Sequence, residues 1–336
     1  MSKRAEGVKR SRWRNAARTL RPAATAALAL FAAAGTIFTL PLRASPGLPH
    51  SLRSTDAPAR LTVTDELGRT IEVPQPVLRI VSLAPSMTET VFALGAGDRL
   101  VGDTNACDYP AAALTVAKVG SVQAPSIETI ITLRPDLVLA TKSLNLDATV
   151  EALSRLGVPV YVTDPHTVQD VLNSTAHFAN VIGESDAGQA LVASLQMRLN
   201  SLRQRLSGVP PRRILFVVWM DPLISIGRNT FITDALTWAD AQSVVETSQD
   251  WPHVSLEAIV HLQPEYLVFA GPHGDAGVPS LADLRSLPGW RDLEAVRDGR
   301  VAVVSGALAR PCPRIVDAIE ELSRDLHTDA VSETTR

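Results

Sequence analysis

A fifteen-residue pattern occurs twice in the chain, as SIETIITLRPDLVLA at residues 126–140 and as SLEAIVHLQPEYLVF at residues 255–269. In each copy a serine is placed to cap a short helix, a glutamate lies in the first turn, where the helix dipole favours an anion, and a proline ends the helix. The apolar run that follows is typical of a buried strand in a parallel sheet. The repeat therefore predicts two Rossmann-like α/β lobes built to one plan.

The segment between the copies predicts a long helix. Residues 184–208 place apolar side chains at close to helical spacing, and prolines follow directly after Gly208. A rigid helix would hold two α/β lobes at a nearly fixed separation, so the cleft between them is the expected ligand site. The predicted organisation is an N-terminal lobe over residues 60–183, a single bridging helix over 184–208 and a C-terminal lobe over 209–327.

The N-terminal lobe begins with two short-range signals. Residues 61–73 alternate apolar and polar side chains around an Asp-Glu-Leu-Gly turn, which predicts a β-hairpin. Residues 79–84, RIVSLA, form a continuous apolar run that predicts a buried parallel strand. Pro85 then opens a predicted helix that ends near Gly95.

The first 44 residues predict export. Residues 1–21 hold eight basic residues against one acidic residue, and residues 22–42 carry no charge. This pattern is typical of a signal peptide cleaved after Ala44, although the uncharged run is also long enough for an uncleaved membrane anchor. Residues 45–59 resemble a flexible linker, and residues 328–336 form a tail. Because the net charge is −3 and the basic residues cluster at the start, the remaining chain is acidic, which argues against nucleic-acid binding.

Motifs for catalysis are missing from the sequence. It contains no phosphate-binding loop, dinucleotide fingerprint, zinc-binding HExxH helix or GxSxG elbow. The sequence therefore predicts a protein that is not an enzyme and has no catalytic residues, no cofactor and no metal site. A cell-envelope metalloenzyme that uses Cys107, Cys312 and histidines is the alternative from another class.

Polar and aromatic residues follow the ends of several predicted strands, where open α/β sheets bind ligands. Trp251 and Tyr109 offer flat rings for a flat ligand, but Trp251 could instead cover its own lobe. Trp219 could equally be the last core residue of its strand, and Asp108 a turn residue before proline. Arg314 is expected to open the last helix and to serve structure. The candidate ligand-binding residues are Pro85, Ser86, Asp108, Tyr109, Gln123, Trp219, Trp251 and Arg310.

Glu128 and Glu257 occupy equivalent positions in the two copies of the repeat. Each could simply stabilise its own helix through the helix dipole. Alternatively, a pseudo-twofold arrangement of the lobes would place one carboxylate on top of each lobe, ready for two symmetry-related arginine pockets on a dimeric partner.

Five segments in chain order resemble the periplasmic substrate-binding proteins of the helical-backbone class, and most closely their cobalamin-binding members. The segments are RIVSLAPSMTETVFALGAGDRLVG, CDYP, SIETIITLRPDLVLA, WPHVSLEAIVHLQPEYLVFAG and RPCPRIVDAIEEL. The resemblance implies a monomeric, periplasmic or extracytoplasmic protein that holds a corrinoid between its lobes. It implies an ABC importer permease dimer as partner, docked through Glu128 and Glu257, with the membrane contacted only through the N-terminal segment or the permease.

Two departures bear on the ligand. Val122 and Lys142 stand where cobalamin binders can carry further cleft tryptophans. A ferric-siderophore or haem binding protein of the same fold is therefore the alternative, and it would favour Arg310 and Lys142 over ring stacking. Cys107 and Cys312 are expected on opposite sides of the cleft, where inert thiols, an inter-lobe disulfide and a metal ligand are the three interpretations.

Overall fold

The computed structural model describes residues 59–145, 147–271 and 277–328. The predicted signal peptide or anchor, residues 1–44, lies outside the described residues. So do the linker, except for Ala59, and the tail, except for Thr328. None of the helices in the described part of the chain combines the length and the apolar character that a membrane span requires.

The described chain begins with the predicted hairpin, which is confirmed. Strands β1 (Arg60–Thr64) and β2 (Thr70–Pro74) pair antiparallel. Gly68 adopts a φ of 77° in the turn between them, a conformation that glycine tolerates without steric cost. Val63 and Val73 pack against the N-terminal core, so the hairpin is anchored to the lobe that follows it.

The N-terminal lobe is a parallel four-stranded sheet with helices between its strands. It contains β3 (Ile80–Ser82), α1 (Pro85–Ala93), β4 (Leu100–Gly102), α2 (Ile127–Thr132), β5 (Leu137–Thr141), α3 (Asp147–Arg155), β6 (Val160–Thr163) and α4 (Val168–Val181). The strands lie in the order β4-β3-β5-β6. Every residue of β3, β5 and β6 is buried, as the apolar run at 79–84 predicted for β3.

The bridging helix α5 (Ser185–Arg205) falls within the predicted range and has 21 residues, about 31 Å at 1.5 Å per residue. Its side chains Leu195, Leu199 and Leu202 pack in the core of the C-terminal lobe. Helix α4 also joins the lobes, which the sequence did not predict: its first turns pack in the C-terminal core and its last turns in the N-terminal core. Helix α5 therefore carries the chain from one lobe to the other, and α4 packs against both cores beside it.

The C-terminal lobe repeats the plan of the first. It contains β7 (Arg212–Val217), β8 (Trp219–Met220), β9 (Leu223–Ile224), α6 (Phe231–Trp238), β10 (Ala241–Ser243), α7 (Leu256–Leu262), β11 (Tyr266–Gly271), α8 (Leu281–Ser286), α9 (Glu294–Arg297), β12 (Val301–Ser305) and α10 (Ile315–Leu326). Its parallel sheet has the order β10-β7-β11-β12, and β8 and β9 form a small hairpin.

Both sheets share one topology. In each lobe the first strand in sequence is flanked by the second and the third, so the order reads 2-1-3-4. The second strand is added on one side of the first strand, and the third strand on the other side. Ligands of open α/β sheets bind at this switch point, outside the carboxyl ends of the strands. The switch points are the ends of β3 and β5 in one lobe and of β7 and β11 in the other.

The predicted caps of the repeated segment are confirmed. Ser126 begins α2, and its hydroxyl accepts a hydrogen bond from the Thr129 N–H. Ser255 begins α7 in the same way and accepts from the Ala258 N–H. The two copies therefore lie in equivalent places, each leading into the third strand of its sheet.

Candidate functional site

Three cavities lie at the switch points of the two sheets. The one that we call the Trp251 cavity, of about 210 Å³, is lined by both lobes. Its residues follow β5 and β6 in the N-terminal lobe and precede α6 and α7 in the C-terminal lobe. They are Thr141, Lys142, Ser143, Asp164, Pro165, His166, Asn229, Thr230, Phe231, Asp250 and Trp251.

The Ser86 cavity, of about 370 Å³, is also lined by both lobes. Pro85 and Ser86 at the start of α1 face residues of β11 and of the segment after β12, including Gly271 and Arg310. Helix α1 has no side-chain cap, and the Ser86 hydroxyl is buried without a hydrogen-bond partner in the structure. An uncapped helix start and an unused hydroxyl are suited to bind a polar group of a ligand.

The Trp219 cavity, of about 480 Å³, lies in the C-terminal lobe beside the Ser86 cavity, with which it shares Ala270. Its lining is mainly apolar and includes Phe269 and Val278. Trp219 was expected either as a core residue or as a ligand contact, and its side chain is 62% exposed. Strand β7 ends at Val217, so Trp219 belongs to the β8–β9 hairpin, and the core interpretation is wrong.

A buried ion cluster joins the lobes next to the Ser86 cavity. Glu89, on α1, is 3% exposed. Its Oε1 lies 2.7 Å from Arg310 Nη1, and its Oε2 lies 2.7 Å from Arg314 Nε. The Cys312 thiol donates a hydrogen bond to the same Oε2 over 3.1 Å. One carboxylate of the N-terminal lobe is therefore bound by three side chains of the C-terminal lobe.

Asp108 and Tyr109 take part in the same cluster. Asp108 Oδ1 lies 2.7 Å from Arg310 Nη1, which places this guanidinium between two carboxylates. The Arg314 guanidinium lies 3.6 Å from the centroid of the Tyr109 ring. Neither Asp108 nor Tyr109 lines the three cavities, so the structure brings both residues to the edge of the site through the two arginines.

Lys142 is a cation in the lining of the Trp251 cavity. Its Nζ lies 2.6 Å from Asp164 Oδ2, and this hydrogen bond raises the pKa of the lysine. His166 Nε2 lies 3.5 Å from the same carboxylate oxygen. The cation is held at the end of β5 by a residue that follows β6, because parallel strands bring their carboxyl ends to one edge of the sheet.

Gln123, a candidate ligand-binding residue, lies away from the three cavities. Its side chain is exposed. Its neighbour Val122 is buried, and the Val122 carbonyl accepts a hydrogen bond from Asn145 Nδ2. The loop is thus fixed by its backbone while Gln123 points to solvent.

The two cysteines are free and buried, so the disulfide between Cys107 and Cys312 is not formed. Each thiol has its own partner: Cys107 lies 3.2 Å from the hydroxyls of Thr88 and Thr104, and Cys312 bonds to Glu89. Burial raises the pKa of both thiols, which keeps them protonated and makes them poor metal ligands. In residues 59–145, 147–271 and 277–328, no group of three or more His, Cys, Asp or Glu side chains is arranged to hold a metal ion.

Glu128 and Glu257 are both exposed, each in the first turn of its helix and each on a different lobe. The Ser255 hydroxyl donates a hydrogen bond to Glu257 over 2.5 Å and lowers the pKa of this carboxyl. Neither glutamate forms a salt bridge with a described residue. Both charges are therefore available at the surface.

Several residues of the site could not be recognised from the sequence. Glu89 lies inside an apolar helical pattern, and its partners are more than two hundred residues away along the chain. Asp164 follows β6 and Asp250 lies in the segment before α7, and nothing local in the sequence distinguishes either from an ordinary turn residue. The short apolar run at residues 158–162 is a signal for a buried strand, and a search for acidic residues just beyond such runs would have found Asp164.

Comparisons with known proteins agree with this geometry. A family model described as periplasmic binding protein matches residues 80–307. A vitamin B12-binding protein of Vibrio parahaemolyticus is 29% identical over 251 residues, which cover 74% of this chain and 89% of the relative.

Two solved structures are similar in fold and sequence. The periplasmic vitamin B12 binding protein BtuF of Vibrio cholerae superimposes with a TM-score of 0.66 at 27% identity, covering 75% of this chain and 98% of that one. A periplasmic haem binding protein from Pseudomonas aeruginosa has a TM-score of 0.68 at 25% identity, covering 75% and 94%. The fold is thus shared by binders of two different tetrapyrrole ligands.

Proposed function

Since the chain belongs to the periplasmic binding protein family, we propose that it captures a cobalamin-type corrinoid in the cleft between its lobes and delivers it to an ABC importer. The observation that carries this proposal is the set of three cavities at the two switch points, two of which are lined by an exposed indole, that of Trp251 in one and that of Trp219 in the other. Wide, flat rings suit a wide, flat ligand, because they cover a large area at low entropy cost.

The proposal includes the place of action. Residues 1–44 would direct export, and the binding protein would work as a monomer in the periplasm or on the outer face of the membrane. Family members are substrate-binding proteins, and this chain would likewise hold its ligand as cargo and perform no chemistry on it. Haem or a ferric siderophore is the alternative cargo, and the charges of the cleft argue against it, as described below.

The importer would be recognised through Glu128 and Glu257. An exposed carboxylate on each lobe, in equivalent places of a repeated plan, suits a permease dimer with one arginine pocket per subunit. This docking surface is separate from the three cavities, so ligand capture and delivery use different residues.

Replacing Trp251 by Ala should weaken cyanocobalamin binding by at least about tenfold, because a large aromatic contact at the centre of a binding site is lost. Isothermal calorimetry on the purified protein measures the change. Trp251→Phe is the matched control, because it keeps a flat ring, and it should retain most of the affinity. Equal affinity in the wild type and in Trp251→Ala would remove Trp251 from the site.

A further inference from the structure

Among the described residues, the two cations that line the three cavities, Arg310 and Lys142, are already bonded to carboxylates. Arg310, in the Ser86 cavity, lies 2.7 Å from an oxygen of Asp108 and 2.7 Å from an oxygen of Glu89. Lys142, in the Trp251 cavity, lies 2.6 Å from Asp164. An anionic ligand therefore meets no uncommitted positive charge among the described lining residues.

Further carboxylates lie among the described lining residues. Asp250 faces the Trp251 cavity and acts on Lys142 through its charge, and Asp221 lines the Trp219 cavity. Together with Asp164, these carboxylates outnumber the two cations of the lining. A ligand that carries carboxylates would be repelled, or it would have to displace an aspartate and leave that charge without its partner.

An uncharged polar ligand has no such difficulty. A carboxamide offers an N–H donor to an aspartate and a carbonyl acceptor to the paired arginine or lysine, so it can bind both members of an ion pair without separating them. A tetrapyrrole rimmed by carboxamides thus fits the charge pattern, and one rimmed by carboxylates does not.

We propose that Asp108 and Asp164 are specificity-determining residues that exclude anionic ligands from the cleft by neutralising Arg310 and Lys142. This inference rests on the proposed function and gives it a physical basis for selection between neutral and anionic cargo. The two aspartates act at different cavities, so each can be tested separately: Asp164 lines the Trp251 cavity, and Asp108 acts on the Ser86 cavity through Arg310.

The test replaces each aspartate by asparagine, which keeps the shape and the hydrogen-bonding oxygen but removes the charge. Asp108→Asn, Asp164→Asn and the double variant are titrated with haem, with a trianionic ferric tris-catechol complex and with cyanocobalamin. We expect Asp164→Asn to raise the affinity for the two anionic probes by roughly three- to tenfold relative to cyanocobalamin, because it frees the partly exposed Lys142. Asp108→Asn should give a smaller gain, because Arg310 remains bonded to Glu89. The gain should shrink as salt is added, because salt screens exposed charges.

The matched control is Asp298→Asn, which removes an aspartate bonded to Arg300 over 2.7 Å, at a place outside the three cavities. It should leave all three affinities at the wild-type values. Thermal unfolding monitors whether each variant is folded. If Asp108→Asn is unstable, Asp164→Asn still tests the exclusion of anionic ligands, because the Lys142–Asp164 pair is more exposed.

The possible failures are distinguishable. If the wild type binds cyanocobalamin but neither single variant gains affinity for the anionic probes, the specificity inference is overturned. A gain that persists in high salt would also contradict it, because the effect would then be structural. If the wild type binds no cyanocobalamin, the proposed function fails, whereas a salt-sensitive gain for haem in the variants would still support exclusion by charge.

Discussion

Replacing Glu128 and Glu257 together by alanine should abolish transport of the ligand while leaving its affinity for the binding protein unchanged. Both side chains are exposed, and neither lines a cavity, so the ligand site is not altered. Each contributes no more than about 1 kcal/mol to its own helix through the dipole, so the fold should also persist. Uptake of radiolabelled cobalamin into proteoliposomes that contain the permease measures the transport step, and calorimetry measures affinity.

Two variants complete the docking experiment. The double substitution of Glu151 and Glu294 by alanine is the matched control, because it removes one exposed helical glutamate from each lobe and should leave transport intact. Single substitutions should each weaken transport, since the permease is expected to engage both lobes. Transport at the wild-type rate in the variant that lacks Glu128 and Glu257 would refute the docking proposal.

Replacing Glu89 by alanine should lower the free energy of unfolding by about 3–5 kcal/mol, the usual cost of removing one partner from a buried ion pair. The substitution leaves Arg310 and Arg314, which are mostly buried, without the carboxylate that both of them bind. Because this contact joins the two lobes, the loss should also loosen the cleft and reduce ligand affinity. Urea unfolding followed by tryptophan fluorescence measures the stability change.

A surface ion pair, Glu151 with Arg155, provides the control for the Glu89 substitution. Glu151 and Arg155 are 69% and 73% exposed, and such pairs contribute about 0–1 kcal/mol, so Glu151→Ala should change the stability little. The loss of stability in Glu89→Gln should lie between the losses in Glu89→Ala and Glu151→Ala, because the amide oxygen still accepts a hydrogen bond. A loss below about 1 kcal/mol in Glu89→Ala would mean that the cluster does not hold the lobes together.

Local patterns in the sequence predicted much of the fold. The hairpin, the buried strand β3, the helix after Pro85 and the caps at Ser126 and Ser255 all depend on neighbouring residues, and the structure has each of them. The bridging helix was found within residues 184–208 because its apolar spacing continues without a breaker. The repeat predicted two similar lobes, and the two sheets have the same strand order.

Contacts between distant segments could not be predicted in the same way. Helix α4 contacts both cores only because the lobes are arranged as they are, and its own sequence is that of an ordinary amphipathic helix. Arg310 and Asp108 were each candidates for contact with the ligand, and nothing in the sequence indicated that the two side chains pair with each other. Pairing of this kind depends on the packing of the two lobes and leaves no local pattern in the chain.

Titration of the purified protein with cyanocobalamin tests the central claim most directly. We predict saturable binding of one cobalamin per chain by calorimetry, together with weaker binding of haem and of ferric siderophores. Tight binding of haem or of an anionic ferric siderophore, with no detectable binding of cobalamin, would contradict it.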